Sequence, residues 1–459
     1  MSQTRREALK TMAAGTAGIT IGALGFSAKS YANIMGANER INMAVIGIRG
    51  QGFGHIRRWA GLAEEQNIRV STICDVDKRL FKKRIATCKE LQGAKPKTAV
   101  DMRTVFEDND IDAISVATPN HWHALATIWA CQAGKHVYVE KPCSHNLFEG
   151  RKMVEAARKY DRIVQVGFQN RSINNVRAAM QFIHNGGIGE VYMAKGLCYK
   201  ARGSFGQAEN SQAPKEVDFN LWLGPASLRP YNEKKFHYNW HWHWDTGNGD
   251  IGNQGPHQFD IARWGMNKQE HPVKIFSSGG YFAFKGQCSQ ETPNTQTANY
   301  EYADGKIIQF EVRGLPTNGE ANTGVKIGNL FYGTKGWLEV NGSKWQSYLG
   351  QKNEPGPGSE SQTNQADSGP SLGYLAAPGG GGHYRNFLSA IRSGTGEALT
   401  CDIEEGYMST VLPLLGNISY RLGRPLMFDG GKERFFNDSE ADAMLRRRYR
   451  EPFVVPEEV

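Results

Sequence analysis

The chain has 459 residues, 39% of them hydrophobic, and a formal net charge of +8 at pH 7, which predicts a folded protein of two domains with a sizeable core. The charge is mild, +5 once the first 32 residues are set aside, and the sequence lacks the interleaved arginines and aromatic residues of nucleic-acid modules, so we expect no nucleic-acid partner. The seven cysteines are scattered and form no C-x-x-C pair, which indicates buried thiols and excludes a disulfide framework.

The N-terminal segment has the pattern of an export signal. Paired arginines in TRREALK, Thr4–Lys10, precede a weakly apolar, glycine- and alanine-rich stretch, Thr11–Phe26, as in twin-arginine signals. Ser30-Tyr31-Ala32 supplies small residues for cleavage, so we expect a signal over 1–32, a mature chain from about Asn33 and a periplasmic location. The stretch is too short to span a membrane stably, and it is apolar all round, which disfavours an amphipathic helix.

The first regular segment of the sequence predicts a strand, a glycine loop and a helix in succession. Ile41–Gly47 is apolar and β-branched, and IRGQGFGH follows it, as in dinucleotide-binding folds. Glycines let backbone N–H groups approach a pyrophosphate, and the helix N-terminus favours its charge. We therefore expect cofactor contacts from Gly47, Ile48, Arg49, Gly50, Gln51 and Gly52. Arg49 replaces the middle glycine of the fingerprint, so by itself the loop is equally compatible with an ordinary glycine turn.

A carboxylate at the next strand end favours the nucleotide interpretation. Asp75 follows the predicted strand Ile68–Cys74 and lies 23 residues after Gly52, near the spacing of a ribose-binding acid. Such a carboxylate accepts from the ribose hydroxyls and repels a 2′-phosphate. The sequence therefore favours NAD over NADP.

Strands and helices continue to alternate through Ala113–Ala117, a helix from about His121 to Gln132, and Val137–Glu140. This order predicts an α/β fold with a doubly wound parallel sheet, whose ligand crevice lies at the carboxyl ends of the strands. Residues near those ends join the expected cofactor contacts: Thr118, Pro119, Asn120, His123, Glu140 and Lys141.

Two segments carry a family resemblance. TPNHWHALATIWACQAGKHVYVEKPCSHNLFEG, Thr118–Gly150, and the later GNGDIGNQGPHQFDIARW resemble the glucose-fructose oxidoreductase, inositol dehydrogenase and MocA family (Gfo/Idh/MocA). The resemblance implies a Rossmann domain that binds NAD or NADP. It also implies a C-terminal α/β domain with a large open, mostly antiparallel sheet that holds a sugar or cyclitol over the nicotinamide. Family members often form dimers or tetramers, so we expect a homo-oligomer.

The same resemblance assigns two catalytic residues. Lys141, in the EKP motif Glu140–Pro142, matches the family lysine that assists proton transfer at the reacting hydroxyl. A lysine at a strand end also suits a crevice, where partial burial would lower its pKa. A surface lysine is the alternative. His257 matches the family's general base or hydroxyl-binding histidine.

The histidine's usual partner is altered in this chain. Four residues before His257 the family has aspartate, and this chain has Asn253, which we also assign to the catalytic group. On one continuous helix Asn253 and Asp260 would share a face with His257 and orient it. Asparagine cannot take up charge as the histidine ionises, so the dehydrogenase mechanism does not transfer directly.

An aromatic run, FHYNWHWHWD at Phe236–Asp245, lies between these motifs. At strand period its tryptophans share one side, where they would form platforms for sugar rings or pack in the core. A metal site at His237, His241 and His243 is disfavoured because no nearby Cys or Glu completes it. The expected substrate contacts are Gln169, Arg171, Trp240, Trp242, Trp244, Asp250 and His257, with no metal ligands.

Composition and residue patterns divide the chain into domains. We expect a Rossmann domain over 33–165, a substrate domain over 166–440 and a basic tail over 441–459 that packs back. Strand-like runs at Val273–Phe276, Thr297–Tyr302, Ile307–Val312 and Trp337–Val340 suit an antiparallel sheet. Residues 350–382 are rich in Gly, Ser and Pro and predict a loop, and helices follow at His383–Ile391 and Ile403–Arg421.

Three functions fit this sequence. The first is an NAD-dependent oxidoreductase for a sugar, glycoside or cyclitol, with cofactor bound tightly enough to leave the cytoplasm with the folded enzyme. The second is an NAD-dependent glycoside hydrolase, which would oxidise a hydroxyl transiently, eliminate the aglycone, add water and return the hydride. The third is a noncatalytic sugar-binding protein, against which Lys141 and His257 argue.

Overall fold

The computed structural model describes residues 39–320, 323–359 and 382–459. The predicted signal, 1–32, and most of the predicted loop, 360–381, lie outside these ranges. Within the described residues, no helix combines the length and the apolar character that crossing a membrane requires. All seven cysteines are free and buried.

The first half of the chain forms a six-stranded sheet in the order β3-β2-β1-β4-β5-β6, with every pairing parallel. Its central strands are apolar at almost every position and buried, as a sheet covered on both faces requires. The strands are β1 Ile41–Ile46, β2 Ile68–Cys74, β3 Lys97–Ala99, β4 Ala113–Val116, β5 His136–Val139 and β6 Val164–Val166. The helices that connect them are α1 Gly50–Gly61, α2 Phe81–Gln92, α3 Arg103–Phe106, α4 Asn120–Gln132 and α5 Leu147–Lys159.

The second half forms a ten-stranded sheet in the order β14-β13-β12-β11-β7-β10-β9-β8-β15-β16. Only β7 and β10 pair in parallel, so the sheet is mostly antiparallel, and the predicted fold class is confirmed. Its strands are β7 Val191–Cys198, β8 Lys274–Gly280, β9 Thr295–Glu301, β10 Ile307–Arg313, β11 Ile327–Gly333, β12 Gly336–Val340, β13 Trp345–Leu349, β14 Glu354–Gly358, β15 Leu426–Asp429 and β16 Arg434–Phe435.

One of these strands corrects the loop predicted over 350–382. Glu354–Gly358 is strand β14, although it contains two prolines, and it pairs with β13 through Tyr348 and Leu349. Prolines are tolerated there because β14 is an edge strand, whose outward N–H groups need no partner. The described part of the predicted loop is therefore partly sheet.

Seven α-helices belong to the second half of the described chain, and most of them pack against the large sheet. They are α6 Asn174–His184, α7 Phe219–Leu223, α8 Gly249–Asn253, α9 Gly255–Gly265, α10 Gly382–Ser393, α11 Ile403–Leu422 and α12 Ser439–Asp442. The longest, α11, is apolar along most of its length and buries residues on every side. Its side chains share one core with the large sheet and the nearer Rossmann helices, so the two halves of the chain are packed together.

Helix α10 joins the Rossmann half although it comes late in the sequence. Tyr384 stacks on Tyr138 of β5, with ring centroids 5.0 Å apart, and lies 4.7 Å from Trp59 of α1. Phe387 is fully buried in the same core. The Rossmann core is therefore completed by a segment that the predicted division at residue 165 assigns to the other domain.

The C-terminal segment also contacts the Rossmann half. Phe453 packs edge-on against Trp122 of α4 at 5.4 Å, and it is almost completely buried. Arg450 donates to the backbone oxygens of Asn220 and Gly224. These contacts anchor the basic run 445–450 at one end.

The contribution of α10 to the Rossmann core is testable by truncating one ring. Phe387→Ala is expected to lower the free energy of unfolding by about 3 to 5 kcal/mol, because it leaves a cavity among packed aromatic rings. Denaturant unfolding followed by circular dichroism measures this difference. The control is Arg385→Ala on the same helix, which removes only an exposed ion pair with Glu65 and is expected to cost less than about 1 kcal/mol. Equal effects of the two substitutions would contradict the packing role.

Candidate functional site

A cavity of about 400 Å³ opens at the carboxyl ends of the Rossmann strands, where a doubly wound sheet binds its ligands. One wall comes from the glycine loop, the β2 end and the β4 and β5 ends. The other comes from the segment after β7, the aromatic run and helices α8 and α9. The cavity is therefore shared by both halves of the chain.

The glycine loop fits a pyrophosphate. A Cβ at Gly52 would lie 1.7 Å from the Gly47 carbonyl oxygen, and Gly47 itself has φ +79°, so both positions require glycine. A Cβ at Gly50 would meet nothing, because that residue faces the open cavity at the start of α1. No acidic side chain lies in the first turn of α1, which leaves its N-terminus free to attract an anion.

The residues of the glycine loop differ in whether they line the cavity. Gly47, Arg49, Gly50 and Gln51 line the cavity as predicted. Ile48 is fully buried and Gly52 packs under Gly47, so these two shape the loop from outside the cavity wall.

Asp75 lies at the end of β2 and lines the same cavity. Its Oδ2 accepts from the Ile48 backbone N–H at 2.8 Å, and its Oδ1 accepts from the Asp77 N–H at 2.9 Å. Burial raises the pKa of Asp75 to about 6, although these hydrogen bonds oppose the shift. The carboxylate thus fixes the glycine loop and also presents an acceptor for ribose hydroxyls.

The residues expected after β4 also lie at the cavity. Thr118, Pro119, Asn120 and His123 line it. The ring nitrogens of His123 lie 2.7 Å from the Pro142 oxygen and 2.9 Å from the Thr118 oxygen. His123 therefore connects the loop after β4 to the EKP segment.

Glu140 receives three side chains on one oxygen. Its Oε1 accepts from Gln51 Nε2 at 3.0 Å and from Gln169 Nε2 at 2.9 Å, and it lies 2.9 Å from His55 Nε2. Burial favours the neutral acid, but the hydrogen bond and charge of His55, the charge of Lys141 and the hydrogen bond of Gln51 together lower the pKa of Glu140 to about 2. The carboxylate is therefore ionised beside Lys141.

Lys141 projects from the β5 end toward helix α8. Its Nζ donates to the backbone oxygen of Asn253 at 2.8 Å. Burial lowers the pKa of Lys141, and the charge of Glu140 opposes that shift. Lys141, Asn253 and His257 all line the cavity, so the structure brings the three predicted catalytic residues together.

His257 lies in the first turn of α9, with its ring edge-on to Phe168 at 6.0 Å. Burial and the nearby Lys141 charge lower the pKa of His257 to about 3. Its imidazole is therefore neutral at pH 7, a form that can accept a hydrogen bond from a hydroxyl but holds a proton weakly. Asn253 and His257 belong to two helices that meet at Gln254, which corrects the continuous helix expected from the sequence.

The orienting role expected for Asp260 is also corrected. Both Asp260 oxygens accept from the Arg171 guanidinium, and Oδ1 accepts from Ser409. Arg171 also pairs with Glu405, and it does not line the cavity. This buried ion pair braces the helices behind the site, so the structure places Arg171 behind the cavity wall and not at the wall, where a substrate contact was predicted. Gln169, from the same stretch, does line the cavity.

The aromatic run corrects another group of predicted contacts. His237–Trp242 is a 3₁₀ helix, so the strand alternation expected for the tryptophans is wrong. Trp240 lines the cavity and stacks on His241 at 3.6 Å. Trp242 is buried under the Arg202 guanidinium, and Trp244 packs beside Tyr420, so neither lines the cavity.

Asp250 is likewise absent from the cavity wall. Its two oxygens accept from Nε and Nη2 of Arg202, each at 2.6 Å. Two histidines of the disfavoured metal site have different partners, because His237 pairs with Asp77 and His243 pairs with Glu291. Across the described ranges, no group of three His, Cys, Asp or Glu side chains is arranged to hold a metal ion.

Sequence reasoning missed several residues of the cavity wall. Lys200, Trp222, Tyr238 and Gln254 line it. Lys200 follows β7, a strand that the sequence did not predict. Trp222 lies in the short helix α7, Tyr238 in the 3₁₀ helix of the aromatic run, and Gln254 between α8 and α9. The position of Lys200 just beyond an apolar strand was the one available signal.

A clasp holds the aromatic run against the Rossmann half. Asp218 N–H donates to the Val76 oxygen at 3.0 Å, and Lys78 N–H donates to the Glu216 oxygen at 3.0 Å. His237 Nε2 lies 3.1 Å from Asp77 Oδ2. The segment over 216–242 therefore closes the cavity beside Asp75.

This fold and site define a two-domain oxidoreductase with a nicotinamide-nucleotide cleft. Residues 41–168 match the profile described as oxidoreductase family, NAD-binding Rossmann fold, and residues 191–337 and 375–455 match its C-terminal alpha/beta domain. The chain belongs to the Gfo/Idh/MocA oxidoreductase family. The prediction of NAD as cofactor is confirmed by the same match.

Curated relatives share shorter segments with this chain. Levoglucosan dehydrogenase of Pseudarthrobacter phenanthrenivorans is 35% identical over 96 residues, which are 21% of this chain and 25% of the relative. Myo-inositol 2-dehydrogenase of Thermotoga maritima is 32% identical over 112 residues, 24% of this chain and 33% of the relative. The alignments thus span a third or less of these relatives.

Solved structures share the whole fold. Aldose-aldose oxidoreductase from Caulobacter crescentus, complexed with glycerol, has a TM-score of 0.61 at 16% identity, covering 85% of this chain and 100% of that one. WlbA dehydrogenase from Bordetella pertussis, in complex with NADH and UDP-GlcNAcA, has a TM-score of 0.60 at 18% identity, covering 85% and 99%. These similarities establish the architecture.

The raised pKa of Asp75 predicts a pH-dependent affinity for NAD. The ionised carboxylate accepts from ribose hydroxyls, so NAD binding favours the form present above pH 6. The dissociation constant is expected to rise up to about tenfold per pH unit below that value. Asp75→Asn is expected to weaken binding about 10- to 100-fold at pH 8 and to flatten the pH profile.

Isothermal titration of cofactor-stripped protein between pH 5 and pH 8 measures both effects. The matched control is Asp112→Asn, because Asp112 also accepts from a backbone N–H but lies at the amino end of β4, the opposite end of the strands from the cavity. An unchanged profile in Asp75→Asn would exclude this carboxylate as the titrating group.

Proposed function

We propose that this chain is an NAD-dependent oxidoreductase that acts on a hydroxyl of a sugar, glycoside or cyclitol. The observation that carries the proposal is the meeting of Lys141 and His257 in the cavity that the glycine loop and Asp75 also line. The sugar and cyclitol dehydrogenases among the relatives support this class of substrate.

The chemistry assigned to the chain is proton handling beside the nicotinamide. Bound NAD supplies a hydride acceptor. Lys141 would hold the reacting hydroxyl, and its lowered pKa makes proton exchange at Nζ easier. His257, neutral at pH 7, would accept a hydrogen bond from the hydroxyl and orient it, while the hydroxyl proton passes to the neutral form of Lys141 as the carbonyl forms. Gln169, whose amide donates to Glu140, would contact the substrate. Trp240 would supply an apolar face for the sugar or cyclitol ring.

A hydrolase that oxidises its glycoside only transiently is a second candidate. The clasp of Asp218 on Val76 and of His237 on Asp77 favours it, because a cofactor held under this segment suits a cycle without net redox change. Accumulation of a keto-sugar supports the oxidoreductase. Release of an aglycone with no change in total NADH supports the hydrolase.

The proposal is tested by separating cofactor retention from turnover. Protein purified without added nucleotide is expected to release near-stoichiometric NAD on denaturation, as identified by mass spectrometry. Lys141→Met and His257→Ala are expected to retain this NAD and to lower turnover of a responsive glycoside by at least about 100-fold.

The matched control is Lys82→Met, which removes an exposed lysine on α2. Near-normal turnover in Lys141→Met or His257→Ala would remove that residue from the chemistry. An empty site in a folded wild-type protein would contradict tight NAD retention and favour the binding-protein alternative.

We also propose that the folded protein reaches the periplasm by the twin-arginine route with NAD already bound. The support is the Arg5-Arg6 pair and the apolar stretch after it. Replacing both arginines by lysine is expected to keep the full-length protein in the cytoplasm, as measured by immunoblots of cell fractions. Unchanged recovery in the periplasm would contradict the route.

A further inference from the structure

The two halves of the cavity differ in charge. Its lining carboxylates are Asp75, Asp101 and Glu140, and all three come from the Rossmann half. Among the described residues of the other half, the lining side chains include Lys200 and three histidines and no carboxylate. The substrate side therefore has cationic and neutral groups facing the place where a sugar would lie.

Lys200 lacks a close anionic partner. No ion pair within 4.0 Å joins it to a carboxylate in the part of the chain that the structure describes. Asp250 acts on it from farther away, but both oxygens of that carboxylate already accept from Arg202 at 2.6 Å. The Lys200 ammonium is thus half-buried and not neutralised by a direct contact.

Lys200 also lies in the electrostatic range of Lys141. The charge of Lys200 helps to lower the pKa of Lys141, after the larger effects of burial and Glu140. Two ammonium groups that line one cavity attract an anion more strongly than either does alone. The residue one helical turn before His257 is Asn253, whose side chain carries no negative charge that would repel such an anion.

We infer that the substrate is a sugar acid, whose carboxylate pairs with Lys200 while the reacting hydroxyl lies at Lys141 and His257. This inference rests on the proposed function and names the substrate class for the same site. A carboxylate fits better than a phosphate because Lys141 is used at the reacting hydroxyl, which leaves Lys200 as a single ammonium, and the neighbouring Arg202 is already committed to Asp250.

The test compares ligands that differ in one group. Binding of methyl β-glucuronide, methyl β-glucoside and glucose 6-phosphate to NAD-loaded protein is measured by calorimetry, with quenching of tryptophan fluorescence as a second readout. Wild-type protein is expected to bind the glucuronide at least about tenfold more tightly than the glucoside, and this preference should shrink at high salt.

Variants then assign the preference to one side chain. Lys200→Met is expected to remove at least about 90% of the preference, and Lys200→Arg is expected to retain most of it. The control is Lys215→Met, because Lys215 is exposed and lies outside the cavity wall.

Each other outcome has a defined meaning. Equal affinity for glucuronide and glucoside, or a full preference in Lys200→Met, would overturn the inference and leave the proposed function standing. Tighter binding of glucose 6-phosphate than of the glucuronide would overturn the assignment of a carboxylate. Failure of all three ligands to bind the NAD-loaded protein would count against the proposed sugar site itself, and the inference would fall with it.

Discussion

The ionised carboxylate of Glu140 connects the nucleotide side of the cavity to its catalytic side. Its Oε1 contacts Gln51 at the start of α1, His55 one turn later and Gln169 beyond β6. A buried carboxylate without such donors would cost several kcal/mol, so these side chains cannot move independently. Lys141 is the next residue in the chain. The position of the Lys141 ammonium is therefore linked to the contacts at the start of α1, next to the glycine loop.

A second connection operates on the other side of the cofactor cleft. The backbone pairing of 216–218 with 76–78 and the contact of His237 with Asp77 hold the aromatic run close to Asp75. Asp75 in turn accepts from the Ile48 N–H of the glycine loop. Release of a bound nucleotide from under this segment would thus require several hydrogen bonds to open together, as the proposed tight retention of NAD needs.

The sequence predicts the Rossmann half well because parallel strands are buried on both faces and read as continuous apolar runs. The glycine loop, Asp75, Lys141 and His257 follow such runs or match family motifs, and they meet at the cavity. Prediction failed where tertiary pairing decides the outcome. Arg171 is drawn to Asp260, from a helix 89 residues later, and no local pattern indicates that contact.

The strand predicted for the aromatic run was wrong for a related reason. Alternating aromatic and polar residues suit a strand, but a strand needs a partner, and this segment instead folds as a 3₁₀ helix. Its packing against Arg202 and the Rossmann half then decides which indoles reach the cavity. Helix α10 shows the same limit, because its place beside β5 depends on contacts with Tyr138 and Trp59 far away in the sequence.

The charges around Lys141 favour negative charge on a group that enters the cavity. The Lys141 Nζ donates to a backbone oxygen of Asn253, which carries only a partial negative charge, whereas an aspartate side chain at that position would bring a full one. Glu140 compensates part of the ammonium charge from the Rossmann side, and Lys200 adds another positive charge across the cavity. The substrate side is therefore left with an excess of positive charge in a partly desolvated space. This positive charge stabilises a negative group of a bound substrate. It also stabilises the negative charge that develops on the hydroxyl oxygen as its proton leaves. Substrate binding and proton removal therefore depend on the same electrostatic feature.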